Sequence, residues 1–317
     1  MAKRGCLLVA LGTPASPEPN DIREFLRAFL SDPAVVDFPR WLWKPILHHI
    51  VLRVRPEKVA PTYSAIWTAD GSPLEVHTKA QWKALAAELP EIEVRYAMTY
   101  TKPSIAEAIS QFTAEEVVVI PLFPHYAPST VADIRRQVSE IAKLPGAPQL
   151  SIAAQWPENS EYISWYQGQI RTALQDCRPD KIVFSYHGVP QRKVHNPDSY
   201  RQQCLHTTAG IMRAFTGVAF ETTFQSKFGP GKWLQPATIE RIAQLPHEGI
   251  KSVLLATPGF TADCIETIDE LDVLNQSAFK EAGGENYARL APVNGDAAVG
   301  KILASIYRQH FSESLPE

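Results

Sequence analysis

Short apolar runs alternate along the chain with amphipathic stretches. The runs are rich in β-branched residues and predict seven strands, at 6–12, 93–100, 116–123, 149–156, 181–188, 220–227 and 252–260. The stretches between them predict helices at 20–30, 75–89, 103–112, 128–143, 158–176, 197–215, 235–245, 264–282 and 295–310. Continuous apolar strands separated by helices are typical of a parallel sheet covered on both faces. The pattern therefore predicts a doubly wound α/β fold.

The two halves of the chain repeat the same kinds of segment. "LLVALGTP" and "IVFSYHGVP" are both a buried strand that runs into a glycine and a proline, and two further pairs of segments match in the same way. A length of 317 residues also favours two domains over one. We therefore expect two similar Rossmann-like domains, at 1–150 and 151–317. Ligands of such folds bind outside the carboxyl ends of the strands, so we expect a site in an interdomain cleft.

Composition and charge exclude several classes of protein. Lys and Arg total 31 against 34 Asp and Glu, so the balance needed for a nucleic-acid partner is absent. No apolar run is long enough to span a membrane, and the first run ends at Gly12, as a buried strand does and a signal peptide does not. The four cysteines are scattered without C-x-x-C, which favours a reducing compartment and excludes a disulfide framework or structural zinc.

The segment "PGFTADCIETIDELD" (258–272) holds five carboxylates within ten residues, and no Lys or Arg occurs between 252 and 279. A helix that starts near Asp263 would place Asp263, Glu266 and Glu270 on one face. Stacked like charges destabilise a helix unless a cation is near, so the row indicates a path for a metal ion or for protons. Asp263 is equally suited to cap the helix.

His187 follows a buried strand and precedes Gly188 and Pro190, which hold it at the strand end. Its imidazole can accept a proton or bind a borderline metal, and a structural histidine is the alternative. Histidine and carboxylates without paired thiolates suit a divalent first-row metal that is held transiently.

Other segments suit a large apolar ligand. The stretch 37–54, "DFPRWLWKPILHHIVLRV", is either a core helix or an apolar lip that grips a flat ligand or touches a membrane. Trp233 can stack on a planar ligand. The stretch "YAPST" (126–130) offers hydroxyls and free N–H groups for a carboxylate, or a helix cap. Neither a phosphate loop nor G-x-G-x-x-G follows the first strand, which argues against nucleotide-dependent chemistry.

Eight ordered motifs resemble those of the ferrochelatase family, whose members insert ferrous iron into a porphyrin during haem synthesis. They are "LLVALGTP", "FLSDPAVVDFP", "IWTADGSPL", "YAMTYTKPSIAEAI", "PLFPHYAPST", "SYHGVP", "QSKFGPGKWLQP" and "GFTADCIETIDEL", and they span almost the whole chain. The resemblance implies two similar Rossmann-like domains of the chelatase type, with the porphyrin between them and no nucleotide.

The resemblance also implies the roles of individual residues. His187 and Glu266 would be the catalytic pair on opposite sides of the macrocycle, and Glu270 would continue an acidic path, so that all three meet the metal. The apolar walls that bend the ring would include Leu11, Trp233 and Phe260. The polar contacts with the porphyrin would come from Tyr126, Ser129 and Thr130. Ferrous iron is a substrate here, and neither a cofactor nor an iron–sulfur cluster is expected.

Three positions depart from the family pattern. Cys264 stands where a histidine is usual, Thr99 where an arginine is common, and Ala10 where an asparagine is frequent. Enzymes that act on coproporphyrin III often carry a tyrosine at the position of Leu11. With an apolar lip, Leu11 favours protoporphyrin IX over coproporphyrin III, and the lip favours transient membrane contact by a cytoplasmic protein.

Two other functions fit the same residues. One is a related chelatase that inserts cobalt or another divalent ion into a different tetrapyrrole. The other is a haem-binding or haem-sensing homologue with reduced turnover, which the departures at Cys264 and Thr99 would permit.

Overall fold

Two four-stranded parallel sheets form the framework of the protein. The computed structural model describes residues 3–36, 38–191, 197–227 and 231–313. The sheets have the strand orders β2-β1-β3-β4 and β6-β5-β7-β8, which become the same order when each is numbered from its own first strand. This repetition confirms the prediction of two similar doubly wound sheets. The strands are β1 (Arg4–Ala10), β2 (Glu93–Met98), β3 (Glu116–Pro121), β4 (Gln149–Ile152), β5 (Lys181–His187), β6 (Phe220–Gln225), β7 (Ser252–Ala256) and β8 (Asn286–Arg289).

The central strands are buried on both faces. All but the first residue of β1 and every residue of β7 are inaccessible to solvent. Leu7 and Val9 of β1 pack with Val117 and Val119 of β3 in the core of the first sheet. Because helices cover both faces, these strands read as continuous apolar runs, and the polar residues of each segment fall at the strand ends.

Helix starts follow signals that are visible in the sequence. Pro19 and Pro73 occupy the first positions of α1 and α4, where proline lacks only an N–H that has no helical partner. Ser104 and Glu107 form a reciprocal capping box on α5. The helices are α1 (Pro19–Leu30), α2 (Arg40–Ile46), α3 (Leu52–Ile66), α4 (Pro73–Glu88), α5 (Ile105–Ser110), α6 (Asp133–Ile141), α7 (Ser160–Asp176), α8 (Pro197–Met212), α9 (Thr238–Gln244), α10 (Ile265–Thr267), α11 (Gln276–Glu281) and α12 (Val299–Glu313).

The structure differs from the prediction in two elements and in the regularity of two helices. The short edge strand β8 and the helix α3 were not predicted, and the prolines within α3 obscure its helical signal. The helix α2 lies within the stretch 37–54, for which a helix was one of two interpretations. The predicted helix at 128–143 begins with a π-helical segment, Pro128–Ala132. The predicted helix at 264–282 is α10 followed by the π-helical segment Ile268–Asn275 and α11. A pattern of period 3.6 cannot reveal a π-helical turn, and such turns are frequent at functional sites.

The chain divides into two compact units. The first runs to Phe123, continues over Ala127–Gln155 and resumes at Asn294, and the second comprises Pro124–Tyr126 and Trp156–Val293. The carboxyl-terminal segment therefore groups with the first unit, whereas the sequence analysis placed it in the second domain. The reason is close packing of α12 on α4. A β-carbon at Gly300 would lie 2.7 Å from the carbonyl oxygen of Ala84.

Candidate functional site

In the second unit the strand order changes direction between β5 and β7, so the crevice at their carboxyl ends is the expected ligand site of this fold. His187 is the last residue of β5, and the loop that follows β7 carries Phe260. The His187 and Phe260 rings lie edge to face, with their centroids 6.4 Å apart. The fold therefore brings these two predicted site residues together at the switch point.

The turn after His187 requires glycine. The N–H of Gly188 donates to the carbonyl oxygen of Gln225 at 2.7 Å, and a β-carbon at this position would lie 2.6 Å from that oxygen. The ring of Trp233 lies against the same glycine, 3.5 Å from where that β-carbon would be. The hydroxyl of Tyr200 donates to the carbonyl oxygen of His187 at 2.8 Å. The backbone of His187 is thus held on both sides.

Glu266 and Glu270 approach His187 from α10 and from the π-helical segment after it. The Glu270 carboxylate accepts hydrogen bonds from the N–H and hydroxyl of Ser226, at 2.7 and 2.6 Å. Burial raises the pKa of Glu270 and the negative charge of Glu266 adds to the rise, whereas the Ser226 donors and the charge of His187 oppose it. Glu270 is therefore within electrostatic reach of both His187 and Glu266, the other two residues predicted to meet the metal. The described residues contain no group of three or more His, Cys, Asp or Glu side chains placed to hold a metal ion.

Ser226 has a strained backbone. Its φ is 63°, in the left-handed region that serine seldom adopts. In this conformation the residue presents two donors to one carboxylate. Non-glycine residues with such φ values concentrate at functional sites, and the sequence alone carried no signal for this one.

Cys264, one of the three expected departures from the family pattern, lies next to Glu266 in its electrostatic surroundings. It is the N-cap residue of α10. Burial raises the pKa of Cys264 well above that of a free thiol, and the Glu266 charge raises it further. The thiol therefore stays protonated at neutral pH.

Asp263 and Asp272 are paired with a base, although the stretch 252–279 contains no Lys or Arg of its own. Arg289, on β8, donates to Asp272 at 2.7 Å and to Asp263 at 3.0 Å. The hydroxyl of Thr267 also donates to Asp263, at 2.7 Å. Asp263 is consequently a member of a buried ion pair and not the helix cap. Arg289 lies beyond the stretch 252–279 because it belongs to the next strand, β8.

The first unit carries three of the four remaining predicted contacts, Leu11, Ser129 and Thr130. Leu11 follows β1 and is half-buried, with its carbonyl oxygen accepting from the N–H of Tyr100 at 3.1 Å. Ser129 and Thr130 lie in the π-helical segment, and the Thr130 hydroxyl donates to the carbonyl oxygen of Ala127 at 3.1 Å. Neither hydroxyl caps a helix. Tyr126 belongs to the second unit, where its N–H donates to the side chain of Gln203.

A second buried polar cluster lies at the end of β2. The Tyr100 hydroxyl donates to the Asp32 carboxylate at 2.8 Å, and the Gln137 side chain donates to Asp133 at 2.6 Å. Burial raises the pKa of Asp133 and the Asp32 charge adds to the rise, whereas hydrogen bonds from Gln137 and Arg136 oppose it. The Tyr100 hydroxyl thus ties the end of β2 to the residues after α1, and the Gln137 side chain ties it to α6 by donating also to the carbonyl oxygen of Thr99 at 3.3 Å. Both links join residues far apart in the chain, so no local pattern indicates them.

The segment 38–54 is amphipathic. One face is buried, as expected of a core helix, and the other exposes apolar side chains to solvent. Leu47 and Leu52 are buried, whereas Trp41 is 75% and Val54 62% exposed. The apolar side chains that face solvent are Phe38, Trp41, Leu42, Ile46, Ile50 and Val54. We call this set the apolar lip. Among the described residues no helix is both long and apolar enough to cross a membrane.

Comparison with known proteins shows the family of the chain. The family model described as Ferrochelatase matches residues 3–311.

The chain belongs to the ferrochelatase family. It is 41% identical, over 97% of this chain and 98% of the relative, to the coproporphyrin III ferrochelatase of Lactococcus lactis subsp. lactis. It is 40% identical to a ferrochelatase of Klebsiella pneumoniae, over 96% of this chain and 97% of the relative. A coproporphyrin III ferrochelatase of Enterococcus faecalis is 39% identical over 96% of this chain and 99% of the relative.

Solved chelatase structures share the fold. CbiX, described as the terminal enzyme of siroheme biosynthesis in denitrifying bacteria, aligns with a TM-score of 0.54 at 15% identity, over 99% of this chain and 100% of its own. SirB from Bacillus subtilis with Fe³⁺ aligns with a TM-score of 0.55 at 12% identity, over 98% of this chain and 97% of its own. Membership of the ferrochelatase family makes the protein a metallochelatase of the lyase class, which acts on a porphyrin and a metal ion.

Proposed function

We propose that the protein inserts Fe²⁺ into protoporphyrin IX to form protohaem. The observation that supports this most is the position of Glu270, which interacts electrostatically both with His187 at the end of β5 and with Glu266. In the reaction, two pyrrole N–H bonds break, two protons leave, and the four ring nitrogens bind the iron. The site must therefore supply a group that presents the metal and a group that accepts protons.

In our proposal His187 and Glu266 share these two tasks. A neutral imidazole and a carboxylate are both suitable ligands for Fe²⁺ and both accept protons near neutral pH. Glu270, buried and held by Ser226, continues the row of acids away from the crevice. A carboxylate whose pKa is raised by burial exchanges protons more readily near neutral pH than an exposed one.

The apolar residues would distort the ring. Phe260 and Trp233 lie beside His187 in the second unit, and Leu11 follows the first strand of the other unit. Walls that fit a bent macrocycle better than a flat one would favour the geometry in which nitrogen lone pairs point out of the plane. The energy for the distortion then comes from apolar contact with the rest of the porphyrin.

The choice of protoporphyrin IX follows from the apolar lip and Leu11. Protoporphyrin IX carries two propionates and two vinyl groups, and coproporphyrin III carries four propionates. An aliphatic side chain at position 11 and an exposed apolar lip favour the porphyrin with fewer charges. Coproporphyrin III is the second candidate, favoured by the names of the Lactococcus and Enterococcus relatives.

A parallel assay separates the two substrates. Purified protein is mixed anaerobically with Fe²⁺ and either porphyrin, and haem formation is followed by absorbance. A higher kcat/KM for protoporphyrin IX is expected. A higher value for coproporphyrin III would establish the second candidate. No haem from either porphyrin, with tight binding of haem retained, would overturn both and favour a haem-binding role.

We also propose that the protein is cytoplasmic and touches a membrane through the apolar lip. The lip presents six apolar side chains to solvent, and basic residues at Arg40, Lys44 and Arg53 accompany them in the same segment. Apolar and basic residues together favour a membrane surface with anionic lipids.

A further inference from the structure

Gln225 is a buried residue to which the sequence analysis gave no role. It is the last residue of β6, is 2% exposed, and lies opposite His187 in the parallel register of β5 and β6. We infer that Gln225 is a positioning residue that sets the distance and orientation of Glu266 and Glu270 relative to His187. This inference rests on the proposed function of the same site.

The backbone of Gln225 holds the His187 end of the site. Its carbonyl oxygen accepts the N–H of Gly188 at 2.7 Å, immediately after His187. Ser185 precedes His187 on β5, and its hydroxyl donates to the Gln225 side-chain oxygen at 2.7 Å. Gln225 is therefore bound to β5 on both sides of His187.

The side-chain nitrogen of Gln225 holds the acidic end. It donates to the carbonyl oxygen of Glu266 at 2.7 Å and lies 3.4 Å from the Glu270 carboxylate. One amide group thus joins the strand that ends in His187 to the helical segment that carries both glutamates.

The chemistry of its neighbours determines which way the amide points. The Glu266 carbonyl can only accept a hydrogen bond, and so can an ionised Glu270, whereas the Ser185 hydroxyl can donate. The amide nitrogen must therefore face the glutamates and the amide oxygen must face Ser185. Ser185 is fully buried, and its hydroxyl oxygen lies 2.8 Å from that of Thr238, which fixes its place in turn.

A fixed distance between His187 and the glutamates matters for metallation. The metal ligand and the proton acceptor must reach opposite sides of the porphyrin centre. Outer partners that orient metal ligands typically contribute about 10- to 100-fold in activity or metal affinity. The side-chain hydrogen bonds of Gln225 go to Ser185, Glu266 and Glu270, so its effect passes through the glutamates and the end of β5.

The first test replaces Gln225 with a residue of similar length and no polar side-chain atoms. In Gln225→Met we expect kcat with Fe²⁺ and protoporphyrin IX to fall by about 10- to 100-fold. The KM for Fe²⁺ should rise while the affinity for protoporphyrin IX, measured by fluorescence quenching, is unchanged. Thr222→Val is the matched control, because Thr222 lies on the same strand and bonds to Thr208 instead. It should retain the kcat of the wild type.

A double-mutant cycle separates positioning from general stability. Ser185→Ala should lower kcat by about 10-fold alone, and should have little further effect in the Gln225→Met background, because Ser185 acts through Gln225. Additive effects, or a kcat of Gln225→Met equal to that of the wild type, would overturn the inference. If Gln225→Met does not fold, Ser185→Ala carries the test, and a wild-type kcat there overturns it.

A readout without porphyrin distinguishes failure of this inference from failure of the proposed function. Binding of Co²⁺ to the wild type and to Gln225→Met is measured by calorimetry in the absence of porphyrin. We expect about a 10-fold weaker affinity in the variant. If the wild type makes haem from neither porphyrin but this difference persists, the proposed function fails and the positioning role stands. Equal Co²⁺ affinities would contradict the positioning role.

Discussion

Glu270 shows at the scale of one residue how function and stability compete. Its carboxylate is largely buried beside Glu266. Burial favours the neutral form of the carboxylate, and this is the main reason why the pKa of Glu270 is raised. The Ser226 donors recover only part of that cost. In the proposed function, the chemistry and not the fold accounts for a carboxylate of this kind.

Removing the charge of Glu270 should therefore stabilise the protein. Because the pKa of Glu270 is raised in the folded protein, the free-energy cost of burying its charge is absent at pH values below about 4.3, the ordinary pKa of an unfolded glutamate. That cost grows as pH rises toward the folded value. We expect Glu270→Gln to melt about 2 °C higher than the wild type at pH 7. The difference should shrink toward pH 4, and metallation should slow. Scanning calorimetry across pH measures this.

The exposed carboxylate Glu281 on α11 supplies the control for that experiment. Glu281→Gln should leave both the melting temperature and its pH dependence nearly unchanged. A Glu270→Gln variant that melts below the wild type at pH 7 would show that its hydrogen bonds outweigh the cost of burying its charge.

His187 is the residue on which the proposed chemistry depends most directly. We expect His187→Ala to lower metallation by about 100-fold or more, the contribution typical of a positioned acid–base group. Porphyrin binding should be retained, since Phe260 and Trp233 are untouched. Haem formation and porphyrin fluorescence measure the two effects. His206→Ala, at an exposed surface histidine, is the control. Wild-type turnover in His187→Ala would refute the assigned role.

At the scale of elements, the apolar lip depends on how α2, the π-helical segment Leu47–Val51 and α3 present their residues. The buried Leu47 and Leu52 anchor the segment, which leaves Trp41 and Val54 on the solvent side. Six exposed apolar side chains in one segment are more than scattered surface residues would explain. Such a face lowers its free energy by contact with lipid or ligand.

Two substitutions test membrane contact by the apolar lip. The double variant Trp41→Ser and Val54→Ser should bind about 10-fold more weakly than the wild type to vesicles containing phosphatidylglycerol, because it loses two apolar anchors. Cosedimentation measures the binding. Leu144→Ser removes an equally exposed apolar side chain outside the lip and should bind normally. Equal binding by all three proteins would exclude the lip as the contact.

At the scale of the whole molecule, the two sheets are similar but the chain path is not a simple succession of two halves. After β8 the chain returns to the first unit, where α12 packs along α4. Gln81 of α4 supports the return by donating to the carbonyl oxygen of Asn294 at 2.9 Å. The first unit is therefore completed by residues from the far end of the sequence.

Two glycines in different helices measure the importance of that packing. Gly300→Leu should lower the free energy of unfolding by about 2 kcal/mol, because the new side chain would displace the backbone of α4 at Ala84. In Gly168→Ala, on α7, the new β-carbon would have no atom within 4 Å. This substitution should raise the free energy of unfolding by about 0.5 kcal/mol. Urea denaturation compares them. No destabilisation in Gly300→Leu would show that α12 packs loosely.

Sequence patterns alone predicted seven of the eight strands among the described residues, the similarity of the two sheets and the placement of unusual residues at strand ends. These properties are local, since the burial of a strand on both faces dictates a continuous apolar run and leaves polar residues only at its ends. His187 was predicted as a site residue for this reason, whereas Glu266 and Glu270 were predicted from a run of acids without Lys or Arg. The motifs that resemble those of ferrochelatases indicated the family, and the comparison with known proteins then showed it.

Only the tertiary structure decided which groups meet. Arg289 neutralises Asp263 and Asp272 from a neighbouring strand, and Gln225 joins the end of β5 to both glutamates. The return of α12 likewise depends on the fit of Gly300 against Ala84. Each contact joins residues at least 17 positions apart, and such pairs leave no periodic signal in a single sequence. The amino-acid pattern determined where the chemistry lies, and packing determined how it is held.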